Sequence, residues 1–256
     1  MEFNNTNLNE KSKDSYIDST ERAVFGSVNG ILFYDLIYPY IFLIIIQLVL
    51  GASYAYVVQN NPYTMQLILS LLTSLTTLIV GIIIAKPKNI VKAFHIIKLD
   101  DIKLIISTLI TMMVVTIAYN TVITLFGVDV AGGNTNQSSI VDYIGTVPIL
   151  AFLAFIVVGP ILEEITYRYF VFGGIKKVNT TLAIIMSGFI FMLVHGVAGF
   201  VSKEANIWRE LILLPPYMFS GCMLAYSYNK SDNLAVSISV HMLNNLISFI
   251  LSAALV

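Results

Sequence analysis

The chain has 256 residues, 57% of them hydrophobic and 11% charged, with a mean hydropathy of +0.83 and a formal net charge of −1. Soluble domains average about 25% charged residues, so the composition excludes a soluble enzyme and indicates an all-α, polytopic transmembrane helix bundle. No basic patch with interleaved aromatics is present, which argues against nucleic acid as a partner, and the single cysteine, Cys222, excludes an internal disulfide and a cysteine metal cluster.

Residues 1–27 are polar and too acidic for a signal-peptide n-region. They read as a cytoplasmic tail, with a short surface helix near Ser19 to Phe25, ahead of one transmembrane domain over 28–256. A spanning helix needs about 20 apolar residues. Seven runs of that length follow, near 31–58, 64–85, 103–126, 146–172, 181–201, 210–228 and 234–255. The first contains Asp35 and Pro39, so it is expected to begin as a tilted segment in which an eighth span could hide. The loop from Lys86 to Lys103, with five lysines and His95, is expected along the membrane surface. The Gly/Asn/Ser-rich stretch from Gly127 to Gly145 has no Lys or Arg and reads as an exposed loop. Trp208 and Arg209 read as an interfacial anchor. Pro215 and Pro216 are expected to kink the sixth span, because proline lacks a backbone donor.

Orientation follows from Lys and Arg in the short loops. Lys11, Lys13, Arg22, the five lysines of 86–103, Lys176, Lys177 and Lys230 fall on the side of the N-terminus, and Lys203 and Arg209 on the other. The bias predicts a protein of the cell membrane with its N-terminus inside and its C-terminus outside.

The fourth run carries Glu163, Glu164 and Arg168 at membrane depth. One charge there costs at least ~2.5–3.5 kcal/mol on insertion scales, and such a group marks a functional site when a partner can be named. Glu164 and Arg168 are four apart, so they share a helix face and can pair. Glu163 points about 100° away and needs another partner. The bland alternative is a Glu-Arg clamp between helices. The fifth run brings Phe191 and His195, and the seventh His241 and Asn245. Taken singly, each histidine reads more readily as an interhelical hydrogen bond. Measured along their helices, Glu163 and Asn245 lie roughly 16 Å from the inner end, His195 roughly 22 Å and His241 roughly 10 Å. One slab of the bilayer therefore holds all four, and three helices can present them to one cavity.

Such a set can do hydrolysis. A carboxylate tuned toward neutrality takes a proton from water. His195 can hold that water or share the proton, and His241 with Asn245 can stabilise a tetrahedral oxyanion. The alternative is a metal: Glu163, His195 and His241 would leave a fourth position for water, as in catalytic zinc sites. No HExxH stretch supports it.

Glu163-Glu164-Ile165-Thr166-Tyr167-Arg168, Phe191 through His195, and His241 through Asn245 together resemble the EExxxR, FxxxH and HxxxN motifs of the CPBP family. That family comprises the type II CAAX prenyl endopeptidases and the bacteriocin-processing, Abi-like membrane proteins. The resemblance covers 163–245, within a protease-like core at 146–255, and no motif position departs from the pattern. It implies an intramembrane endopeptidase in which Glu163 activates water together with His195. His241 and Asn245 would stand on the oxyanion side, with Glu164 and Arg168 in support. The candidate catalytic set is thus Glu163, Glu164, His195, His241 and Asn245, supported by Arg168 and Phe191. The cofactor is either a divalent metal such as zinc, or none. Implied partners are the bilayer and a peptide or lipidated protein substrate, as in pheromone or bacteriocin maturation and immunity. Two other classes stand beside this one: a catalytically silent scaffold regulating a partner such as a sensor kinase, and a proton-coupled transporter using Glu163 and the histidines as a relay. The absence of paired half-spans with matching Gly/Pro breaks counts against the transporter.

Overall fold

The computed structural model describes residues 59–85 and 90–254, with Ile41, Ile44, Ile45, Leu48 and Gly51. The expected tail at 1–27, Asp35 and most of the first run lie outside the described residues. Among the described residues there are helices and no strand. They are α1 (Pro62–Ala85), α2 (Leu99–Leu125), α3 (Thr135–Thr146), α4 (Pro148–Ile175), α5 (Thr180–Val201), α6 (Ile207–Leu213), α7 (Pro215–Ser231) and α8 (Leu234–Ala253). Of these, α2, α4, α5 and α8 are long and apolar enough to cross a membrane. Their outward faces are apolar too: Ile106, Ile110, Val114 and Ile117 on α2, and Leu182, Ile185, Phe189 and Leu193 on α5, are exposed. An apolar helix with an apolar outer face belongs in lipid. The protein is an all-α membrane protein.

The starts of α3, α5, α6 and α8 share one device. Asn134, Asn179, Asn206 and Asn233 each precede the first turn and accept a backbone N–H there, satisfying a donor the helix leaves orphaned. Helices α5 and α7 cross closely. A Cβ on Gly221 would lie 2.8 Å from the Cα of Gly188, and one on Gly188 would collide with the Cys222 thiol. Small residues let two helix backbones approach this closely, so Cys222 is packed against α5.

Two expectations are corrected. The stretch 127–145 is not an exposed loop throughout. Its second half is α3, whose Ile140 and Ile144 project from one face onto Leu67 and Ala151. Its first half is a turn in which Gly127, Gly132 and Gly133 take φ of +83°, +73° and +66°, where a side chain is disfavoured. This turn is strapped down: Arg209 donates to the carbonyls of Asp129 and Ala131, at 3.2 and 2.9 Å. Arg209 is therefore a loop strap, while Trp208 stays exposed. The run 210–228 is not one kinked helix either. It breaks at Leu214 into α6 and α7, because Pro215 and Pro216 occupy the first positions of α7, where a missing N–H costs nothing.

His195 sits roughly 22 Å along α5 and His241 roughly 10 Å along α8, so bringing them together displaces α8 along the bundle relative to α5. The displaced start of α8 is held by the segment before α2. Leu234 N–H donates to the Ala93 carbonyl at 2.7 Å, and Asn233 exchanges two hydrogen bonds with the backbone of His95, at 3.0 and 3.1 Å. The His95 ring itself is exposed, as expected.

Candidate active site

Helix α4 contains two π-helical stretches, Leu153–Val158 and Ile165–Phe172, around one α-helical turn, Gly159–Glu164. The cause of the first is legible. Pro160 has no N–H, so it cannot bond the carbonyl of Phe155 or of Ile156. The N–H of Gly159 reaches back five residues to Ala154. A Cβ on residue 159 would sit 2.8 Å from that same oxygen, so glycine is needed there. The Phe155 carbonyl is left without a helical donor, and the Asn245 amide supplies one at 3.0 Å. Asn245, expected on the oxyanion side, thus commits one N–H to repairing α4. Its amide nitrogen carries a second. π-Bulges of this kind recur at functional sites.

The two glutamates diverge as the helical spacing predicts. Glu164 is 0% exposed; its Oε2 lies 3.0 Å from Arg168 Nε, and its Oε1 is 2.9 Å from His241 Nδ1. Arg168 is equally buried. It donates to Ser187 Oγ at 3.3 Å, and its guanidinium lies 5.1 Å from the centre of the Phe191 ring, within cation–π range. Glu163 faces the other way, with 31% of its side chain exposed. Its Oε2 is 3.7 Å from His241 Nε2 and 4.0 Å from His195 Nε2.

The acceptors behind each ring set the tautomers. The His195 Nδ1 is 2.8 Å from the Phe191 carbonyl, and His241 Nδ1 faces the Glu164 carboxylate. Both partners are acceptors, so in each neutral ring the proton is on Nδ1 and the Nε2 lone pair faces Glu163. The FxxxH spacing is thereby explained: four residues bring the histidine ring over the preceding carbonyl. Phe191 also packs edge-on to His241, at 5.6 Å between ring centres. The structure therefore gathers Glu163, Glu164, Arg168, Phe191, His195 and His241 into one cluster, with Asn245 on the wall of the cavity beside it.

That cavity, about 380 Å³, is lined mainly by α2, α3, α7 and α8, and His195 and His241 are part of its wall. Amides face it from Asn120, Asn136, Gln137 and Asn244. Two residues close to His195 were not legible in the sequence. Asn134 is 2% exposed and bonds the His195 carbonyl at 3.2 Å. Tyr217 stacks on the imidazole, with ring centres 4.9 Å apart. The available signal was Asn134 preceding a weakly amphipathic stretch, masked by the turn-like composition around it.

Two imidazoles and a carboxylate form a donor set that zinc accepts. The spacing suits it poorly. A metal bonded at about 2.0–2.1 Å to atoms 3.7–4.0 Å apart would open the angle between carboxylate and imidazole to roughly 125–180°, against about 110° for a tetrahedral site. A water about 2.8 Å from the same atoms would subtend roughly 83–91°. Among the described residues no group of three His, Cys, Asp or Glu reaches metal-binding geometry. As placed, the carboxylate and the imidazoles stand wider apart than a tetrahedral metal site takes.

Comparison with known proteins agrees on the region. Residues 145–247 match the family model described as type II CAAX prenyl endopeptidase Rce1-like. The chain is similar to the Bacillus subtilis protein named "Putative membrane peptidase YdiL", at 33% identity over 43% of this chain and 40% of that one. It is similar to the membrane-embedded CAAX protease MroQ of Staphylococcus aureus, at 26% identity over 70% of each. It is also similar to the UPF0177 protein YxdF of Lactococcus lactis, at 32% identity over 44% of this chain and 56% of that one. The matches to YdiL and YxdF thus span about half of those relatives' length or less. No solved structure matches the chain. The matched segment contains every residue of the Glu163 cluster, and it is over 145–247 that the chain is similar to the Rce1-like type II CAAX prenyl endopeptidase family.

Proposed function

We propose that this protein is an intramembrane endopeptidase that uses Glu163 to activate a water molecule against a peptide bond. One observation carries the reading. Two imidazoles, each fixed at Nδ1, turn their Nε2 lone pairs toward a carboxylate oxygen that is buried and makes no hydrogen bond of its own. Separations of 3.7 and 4.0 Å are too long for direct hydrogen bonds and suit a bridging water. That water gives a proton to Glu163 as its oxygen attacks the scissile carbonyl. His195 holds the water. The proton that Glu163 has taken then passes to His241 Nε2, 3.7 Å away, which hydrogen-bonds the oxyanion and delivers that proton to the leaving nitrogen as the C–N bond breaks; Glu164 behind its Nδ1 stabilises the transient imidazolium, as the carboxylate does in a Ser-His-Asp triad. The free N–H of Asn245 is the second candidate donor. No step uses a metal.

The substrate we infer is a membrane-associated peptide or a lipidated protein tail, of the pheromone or bacteriocin-precursor kind. The family match and the cavity that the two histidines help to line support this. The test compares membrane peptides from cells expressing wild type, Glu163→Gln and His195→Ala at matched levels. A peptide shortened only by wild type supports the reading and identifies the substrate. Equal peptide profiles with an intact cellular phenotype would sink it in favour of the scaffold.

A further inference from the structure

Tyr217 and Asn134 lie outside the three motifs, and the water-activation scheme does not use them. Tyr217 is in the first turn of α7, and its ring stacks on His195 at 29° between planes. The opposite neighbour is Phe191, 4.2 Å away between ring centres, so the imidazole is held between two aromatic rings. The Tyr217 hydroxyl donates to Asn134 Oδ1 at 3.2 Å. The same oxygen accepts the Gln137 N–H at 3.0 Å and so caps α3, while Asn134 Nδ2 donates to the His195 carbonyl. Both ends of this amide are thus assigned: the oxygen serves two donors and the nitrogen one acceptor. Among common caps, serine keeps an acceptor but has no second arm to reach His195.

From these contacts we propose that Asn134 and Tyr217 are positioning residues for His195. The tyrosine ring fixes the plane of the imidazole, and Asn134 locks the tyrosine hydroxyl to the backbone carrying the histidine. The Phe191 carbonyl fixes only one ring nitrogen. A ring held at one atom can still swing, and a shift of about 1 Å at a reacting group can cost a hundredfold in rate. The device also ties the histidine to the strapped turn. Thr135, next to Asn134, donates its N–H and hydroxyl to the buried Glu210, at 3.0 and 2.6 Å.

The inference rests on His195 belonging to the water-activating group, and its test is independent of cleavage. The protein is labelled with ¹⁵N-histidine and reconstituted in lipid nanodiscs. It has only three histidines, so each ring resonance can be assigned by single substitution. Wild-type His195 should show one tautomer, with Nδ1 protonated. Tyr217→Leu removes the ring, Asn134→Ser removes the arm to His195 but keeps a cap, and Tyr217→Phe removes only the hydroxyl. We expect the first two to move His195 toward tautomer averaging while His241, held by Glu164, stays as in wild type. Tyr217→Phe, which keeps the stacked ring but breaks the lock at its other end, should shift His195 about as far as Asn134→Ser does and less than Tyr217→Leu. In cells, Tyr217→Leu should slow processing of any Glu163-dependent peptide roughly tenfold to a hundredfold. Unchanged His195 resonances in Tyr217→Leu and Asn134→Ser would overturn the proposal whatever the activity. Disturbance of His195 and His241 together in both variants would also overturn it, because the pair would then support the fold rather than the imidazole. If His195→Ala itself spares processing, it is the proteolytic reading that fails.

Discussion

Glu163 and Glu164 are adjacent, chemically identical, and do different things because of what each faces. Glu164 is sealed against Arg168 and His241, and removing one partner of a buried pair leaves an uncompensated charge, at about 3–5 kcal/mol. Glu164→Gln should therefore lower thermal stability strongly, read as loss of helical signal on heating in detergent. Glu163 is paired with nothing so tightly. Glu163→Gln should unfold close to wild type yet lose peptide processing by at least about a hundredfold, so activity and stability should separate between the two positions. A Glu163→Gln protein as unstable as Glu164→Gln would mean that both carboxylates are structural.

Among the elements, α4 is the informative one. Its first π-stretch exists because Pro160 cannot donate, and Asn245 on α8 repairs the result. Leaving that carbonyl unsatisfied should cost about 1–3 kcal/mol, so Asn245→Ala should destabilise by that amount. The same substitution in a Pro160→Ala background, where residue 160 regains an N–H, should cost clearly less. A double-mutant cycle on unfolding free energies reads the coupling, and strict additivity would refute the repair role. The α5–α7 crossing gives a steric counterpart. Gly188→Leu cannot fit against Gly221 and Cys222, and should cost more than about 2 kcal/mol through overpacking, measured the same way.

For the whole molecule, the metal question and the orientation are open to direct measurement. The proposed mechanism uses no metal, so dialysis against a strong chelator should leave processing in isolated membranes unchanged; loss of activity restored by zinc would overturn it. Tags at residue 1 and residue 256, probed by protease in sealed cells, should be protected and accessible respectively, as the lysine bias predicts.

Much of this protein was legible without coordinates. Membrane insertion depends on summed side-chain transfer energies along one segment, so the apolar runs that become α2, α4, α5 and α8 could be read locally. So could the Glu164–Arg168 pair and the FxxxH and HxxxN spacings, which are one helical turn long. Four things were not local. The displacement of α8 that brings His241 level with His195 is taken up by contacts to Ala93 and His95, far away in sequence. The engagement of Asn245 with Phe155 depends on a π-bulge in another helix. The break at Pro215 reads equally as a kink until α6 packs elsewhere. Asn134 reads as a loop residue until α7 brings Tyr217 over His195. The sequence by itself determined which groups are forced into the bilayer, because their cost is paid residue by residue. Which of them meet, in which tautomer and with what support, was decided only by the tertiary structure, because hydrogen bonds and ring contacts between helices depend on tilt and offset that no single segment encodes.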